Sequence, residues 1–103
     1  MPRLDRQFRE GATRELQVST SAQQGPDVDC KKLTIKARSG NTGKVAFGFS
    51  SAVTIPDGTT DANGGYELEA GEPSVTLLSV GNLNQIWYIG QNATDSLIVL
   101  IER

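Results

Sequence analysis

The sequence predicts an all-β fold, an antiparallel β-sandwich or jelly-roll-like domain with an extended N-terminal arm. Three observations lead there. From Cys30 onward apolar and polar residues alternate with a period of two, the period of a strand with one buried face. Clusters of Gly, Asn, Pro and Asp interrupt that alternation about every 8–12 residues, the spacing of a many-stranded antiparallel fold. The 103 residues, 37% of them hydrophobic, suffice for one modest core and one domain.

Residues 1–29 read as an arm and linker, and residues 30–103 as the β-sandwich domain. In the arm, Leu4 and Phe8 stand four apart, as on one turn of an amphipathic helix that Gly11 would stop. Glu15 to Ser19 alternates and suits a short edge strand, and residues 19–27 are small, polar and turn-rich. In the domain, Leu33, Ile35 and Ala37 alternate with Lys32, Thr34, Lys36 and Arg38. The turn 39–43 follows, and Val45, Phe47 and Phe49 repeat the alternation, so the two segments are expected to pair as a hairpin. Gly48 suggests a close approach or a bulge. Residues 50–65 form a long loop with room for a short strand at 53–55. Tyr66, Leu68 and Ala70 alternate with Glu67 and Glu69, and Gly71-Glu72-Pro73 turns the chain. Val75 and Leu77 begin another strand whose phase changes at Leu78 and Val80. Turns at 81–84 and 90–95 then bound strands at 86–89 and 96–101.

These last two strands are apolar on both faces: Ile86, Trp87, Tyr88 and Ile89, then Leu97, Ile98, Val99, Leu100 and Ile101. Left uncovered, the second of them would invite aggregation. Either the arm folds over the second apolar face or another subunit does. The reading taken is a subunit seam through these nine residues in a homo-oligomer, with a trimer as the expected stoichiometry, because obligate interfaces resemble a divided core.

Composition narrows the chemistry. There is no histidine, which removes an imidazole base or ligand. Cys30 is the single cysteine, so no disulfide framework exists within the chain, and beside Asp29 it reads as a passive thiol. Asp57 and Asp61 share a loop, but the ligand pattern of a calcium loop is lacking and an ordinary turn is expected. Gly40, Gly43 and Gly48 open no helix and imply no phosphate cradle. Asn92-Ala93-Thr94 has the form of a glycosylation acceptor, whereas residues 1–6 have no secretory character, so synthesis in the host cytoplasm is expected. No apolar run is long enough to cross a bilayer as a helix. The expectation is a non-enzymatic protein with no cofactor, no bound metal, no nucleic-acid partner and no membrane partner.

Charge is divided along the chain. Residues 1–44 hold nine bases (Arg3, Arg6, Arg9, Arg14, Lys31, Lys32, Lys36, Arg38, Lys44) and five acids, whereas residues 45–103 hold Arg103 against seven acids. A basic arm seeking an acidic surface fits this pattern, with Arg3, Arg6, Arg9 and Arg14 as its contacts and Leu4 and Phe8 as apolar anchors.

Lys32-Leu33-Thr34-Ile35-Lys36-Ala37, then residues 40–48 from Gly40-Asn41-Thr42-Gly43 to Phe47-Gly48, then Leu68-Glu69-Ala70-Gly71-Glu72, then residues 83–90 ending in Ile86-Trp87-Tyr88-Ile89-Gly90, come in a distinctive order. In these motifs, over about residues 31–101, the chain resembles the small β-sandwich virion proteins of tailed bacteriophages. The resemblance implies a virion structural part on the capsid surface. Within that class a capsid decoration (cement) protein, bridging and stabilising subunits of the major capsid protein, is expected. The alternatives are a tail, fibre or baseplate component, or a carbohydrate- or receptor-binding module using Trp87, Tyr88 and Tyr66 with Asn82, Asn84 and Gln91.

Overall fold

The structure, a computed structural model, describes residues 11–102. These form β1 (Gly11–Gln17), β2 (Gln23–Gln24), β3 (Asp29–Ala37), β4 (Val45–Gly48), β5 (Tyr66–Leu68), β6 (Val75–Asn82), a 3-10 turn (Leu83–Gln85), β7 (Trp87–Gly90) and β8 (Ser96–Glu102). The strands make two antiparallel four-stranded sheets, ordered β1-β8-β3-β6 and β2-β7-β4-β5. Side chains of both sheets enter one hydrophobic cluster, with Leu33, Ile35, Leu97, Val99 and Ile101 from the first and Val45, Phe47, Leu68 and Tyr88 from the second. The all-β, antiparallel character expected from the alternation is what the chain adopts.

The chain changes sheet at nearly every connection, and this overturns the hairpin expected between residues 33 and 49. β3 pairs with β6 and β8, while β4 pairs with β5 and β7. Alternation records which side chains face the core and is silent about the neighbouring strand. Leu33, Ile35, Val45 and Phe47 do meet in one core, but they reach it from different sheets. The strand suggested at 53–55 reduces to an isolated bridge between Thr54 and Gly64. Phe49, expected on the core stripe, is 66% exposed because β4 ends at Gly48.

Residues 11–29 also differ from the expected arm. β1 pairs with β8 along its whole length, from Gly11 opposite Glu102 to Gln17 opposite Ser96. Leu16 and Val18 are buried in the common core, so this segment belongs with the body. Polar residues at 13–15 and 17 obscure it because an edge strand needs few apolar contacts. The calls on Arg3, Leu4, Arg6, Phe8 and Arg9 lie outside the described residues, while Arg14 sits exposed on β1 opposite Val99.

Two local features follow directly from residue chemistry. The phase change read at Leu78 coincides with a bulge: register passes from Cys30 opposite Gly81 to Lys32 opposite Leu78, so β6 has one residue more. Ser79 takes φ 61° there, the left-handed region that side chains other than glycine seldom enter. At the Leu68-Glu69-Ala70-Gly71-Glu72 turn, the Glu69 N–H donates to Glu72 Oε1 at 2.6 Å and the Glu72 N–H to the Glu69 carbonyl at 3.1 Å. Gly71 closes that turn with φ 87°.

Candidate functional site

An open groove of about 640 Å³ lies where β6 of the first sheet faces β4, β5 and the loop 49–65 of the second. Its walls are Val75 and Leu77 on one side and Phe47, Phe49, Val53 and Tyr66 on the other. Val75 and Leu77 stand opposite the fully buried Ile35 and Leu33, so they continue the core stripe to the sheet edge. They remain only half-buried, because β5, the edge of the second sheet on this side, is three residues long. Tyr66 is 57% exposed and stacks at a tilt on Phe47, ring centroids 5.7 Å apart. The groove is therefore an unfinished margin of the core with two exposed aromatic rings at its mouth.

The loop forming its rim is tied down by its own polar residues. The Thr54 N–H donates to the Asn63 carbonyl (3.0 Å) and the Gly65 N–H to the Thr54 carbonyl (2.8 Å). Asp61 accepts from the Thr54 hydroxyl (2.6 Å) and the Asn63 N–H (2.9 Å). Val53 is the loop's buried anchor, and a side chain at Gly65 would press on Val53, the Phe47 carbonyl and Ala46. Glycine is required there for close approach.

The rim is acidic. The Thr54 hydroxyl and the Asn63 N–H hold the Asp61 carboxyl below its ordinary range, and the Thr59 hydroxyl and N–H do the same for Asp57. No lysine or arginine occurs between residues 45 and 102. Lys44, nearest in sequence, is committed to Glu67 (3.4 Å) and Glu69 (3.7 Å), and its hydrogen bond to Glu67 raises its pKa.

A second constellation, Asp95 with the turn 41–44, is structural. Asp95 is 1% exposed and accepts from the N–H groups of Thr42 (3.1 Å) and Gly43 (2.9 Å). Burial pushes its carboxyl pKa up, but these bonds, with the Asn92 amide and the Thr42 hydroxyl, outweigh it and leave the pKa below the ordinary range. Asn41 joins the same knot through Ser96, donating to its carbonyl at 2.8 Å and accepting its N–H at 2.9 Å. The knot carries the chain from the first sheet to the second between β3 and β4.

The residues singled out by sequence are dispersed. Ile86, Tyr88, Leu97, Val99 and Ile101 lie in the chain's own core and are unavailable to a seam. Trp87, Ile89 and Ile98 are half-buried and Leu100 is 50% exposed, so of the nine these four keep surface for a partner. β1 lies beside β8, closing its edge rather than covering its outer face. The proposed sugar-site residues do not converge: Tyr88 is buried, Asn82 caps the 3-10 turn and binds Asp27, and Gln91 accepts from the Lys44 N–H. Cys30 is buried, and burial followed by the neighbouring Asp29 charge pushes its thiol up. Among the described residues no group of three or more Cys, Asp or Glu side chains is placed to hold a metal. Sequence reading missed Phe49 as a surface residue, the groove and the Asp95 knot; the absence of bases from 45 to 102 was the one legible sign of an acidic rim. Searches of family models, curated proteins and solved structures find no match to this chain.

Proposed function

We propose that this chain is a non-enzymatic structural protein of a virion, a capsid decoration protein whose two sheets form a β-sandwich body that bridges major capsid subunits. The observation that carries a binding role is the groove: apolar, open, and flanked by exposed Phe49 and Tyr66, it is a surface that water covers poorly. The virion assignment comes from the resemblance in the turn and strand motifs between residues 31 and 101. A ligand that binds assembled shells and not dissociated subunits stabilises the shell by mass action, and several linked copies multiply the effect. In this reading the protein is a homo-oligomer, with a trimer proposed. The seam narrows to the outward-facing Trp87, Ile89, Ile98 and Leu100, and Arg3, Arg6, Arg9 and Arg14 meet the acidic surface of the shell.

Co-expression with the major capsid protein encoded in the same genome tests this. The chain should co-sediment with assembled shells and raise the temperature at which they dissociate. A chain that stays in the supernatant while shells pellet refutes decoration, and recovery with isolated tails moves the assignment to the tail.

A further inference from the structure

We infer that the groove between β6 and the β4–β5 wall receives the N-terminal segment of a neighbouring copy, with Leu4 and Phe8 filling it. The inference deepens the oligomeric reading above and rests on it. Three observations select this occupant. The first is shape and polarity. A volume of about 640 Å³ with Val53, Val75 and Leu77 as floor and Phe49 and Tyr66 as lips suits a few apolar side chains on a single segment rather than a domain face. Leu4 and Phe8 are four residues apart, a spacing that puts them on the same side of the chain whether it is helical or extended.

The second is charge. Every residue lining the groove comes from the stretch 45–102, which has no base and has Asp57 and Asp61 on the rim. The segment 1–10 offers Arg3, Arg6 and Arg9 around its two apolar residues. A basic segment with apolar anchors is complementary to an apolar floor with an acidic rim.

The third is reach, which decides between the chain's own segment and a neighbour's. Gly11, Glu102, Lys32 and Leu78 lie in one row across the first sheet, with β1 at one edge and the groove strand β6 at the other. Three strand spacings make that row about 14 Å wide. Phe8 precedes Gly11 by three residues, a backbone span of at most about 11 Å. The straight line runs through β8 and β3, so any real path is longer still. Phe8 therefore cannot enter the groove of its own chain together with Leu4, whereas a neighbour's segment meets no such limit. A segment of one copy in the groove of the next is a head-to-tail contact, which closes into a ring when the rotation permits.

Sedimentation velocity on the full chain tests the exchange. Wild type should sediment at a whole multiple of 11.0 kDa. Leu4→Asp with Phe8→Asp breaks the segment, and Phe49→Asp breaks the groove at a side chain 66% exposed and outside the core. Each variant alone should lose assembled mass, and an equimolar mixture should recover part of it, since an intact segment then meets an intact groove. Phe49→Ala, which adds no charge, should weaken assembly in the same direction, and near-ultraviolet circular dichroism of Trp87 should match wild type in every variant. A wild-type monomer overturns the inference, as does retention of full mass by both variants or a mixture no heavier than its components. Shell co-sedimentation separates the two proposals: an oligomer that ignores shells counts against the virion reading alone, and shell binding that survives with unaltered variant masses counts against segment exchange alone.

Discussion

Replacing Asp95 by alanine should be among the most costly single changes outside the hydrophobic core. Its carboxylate is 1% exposed and accepts the Thr42 and Gly43 N–H groups at 3.1 and 2.9 Å. Hydrogen bonds to an ionised group contribute roughly 1.5–3 kcal/mol each. Thr42 is exposed, so water can partly satisfy its freed donor, and the low end applies to both bonds. The expected loss is therefore about 3 kcal/mol, on the order of 15 °C in melting temperature for a domain of this size. Asp95→Asn keeps the shape but turns an amide NH₂ toward one of the two donors, so it should recover less than half. Urea unfolding at neutral pH measures the loss as a lower midpoint at unchanged slope. The pH dependence has a definite sign. The folded pKa lies below the ordinary value, so the contribution is complete above about pH 4 and disappears as the pH falls through the folded value. The gap between wild type and Asp95→Ala should accordingly shrink on acidification. A loss under about 0.5 kcal/mol, the range of ordinary surface substitutions, would refute the knot, and so would a gap that widens in acid.

Gly90→Ala should destabilise by roughly 1–3 kcal/mol, because the new methyl meets Val18 Cγ2 inside the core; thermal melting checks it, and a neutral result would mean that Val18 is free to move. Leu16→Ala should cost about 2–4 kcal/mol if β1 belongs to the body, while a chain starting at Gly11 should unfold at nearly the wild-type midpoint; a small loss at Leu16 would return residues 11–18 to an arm. Leu100→Asp, at a side chain 50% exposed, should leave the midpoint within about 0.5 kcal/mol yet reduce the assembled mass, and unchanged mass excludes the outer face of the first sheet from the seam.

Much of the architecture was legible in the residues themselves. Period-two alternation marks strands because successive side chains of an extended chain point to opposite faces, and β3, β5 and β8 lie where alternation or a turn-bounded apolar run places them. Turn residues are equally local: Gly71 at φ 87° and the slip of phase at Leu78 each answer to the backbone around a single position. The absence of histidine and the lack of bases from residue 45 to 102 are properties of composition that no fold can change.

Partnership between strands was another matter, because a hydrogen-bonded neighbour leaves no periodic trace. Leu33 and Val45 carry the same signal and sit in different sheets; Asp95, 53 residues from Thr42, makes the crossing between them stable. Leu97, Val99 and Ile101 looked like half of a subunit seam until β8 took an interior position with β1 and β3 on its two edges and its core face against the second sheet. The groove exists only because β5 is too short to cover Val75 and Leu77. Sequence alone determined which residues must leave water and where the chain must turn, since those follow from side-chain solvation and local dihedral preference. Which strands pair, and which apolar edge stays uncovered, depended on contacts between residues far apart in the chain, and tertiary structure alone decided them.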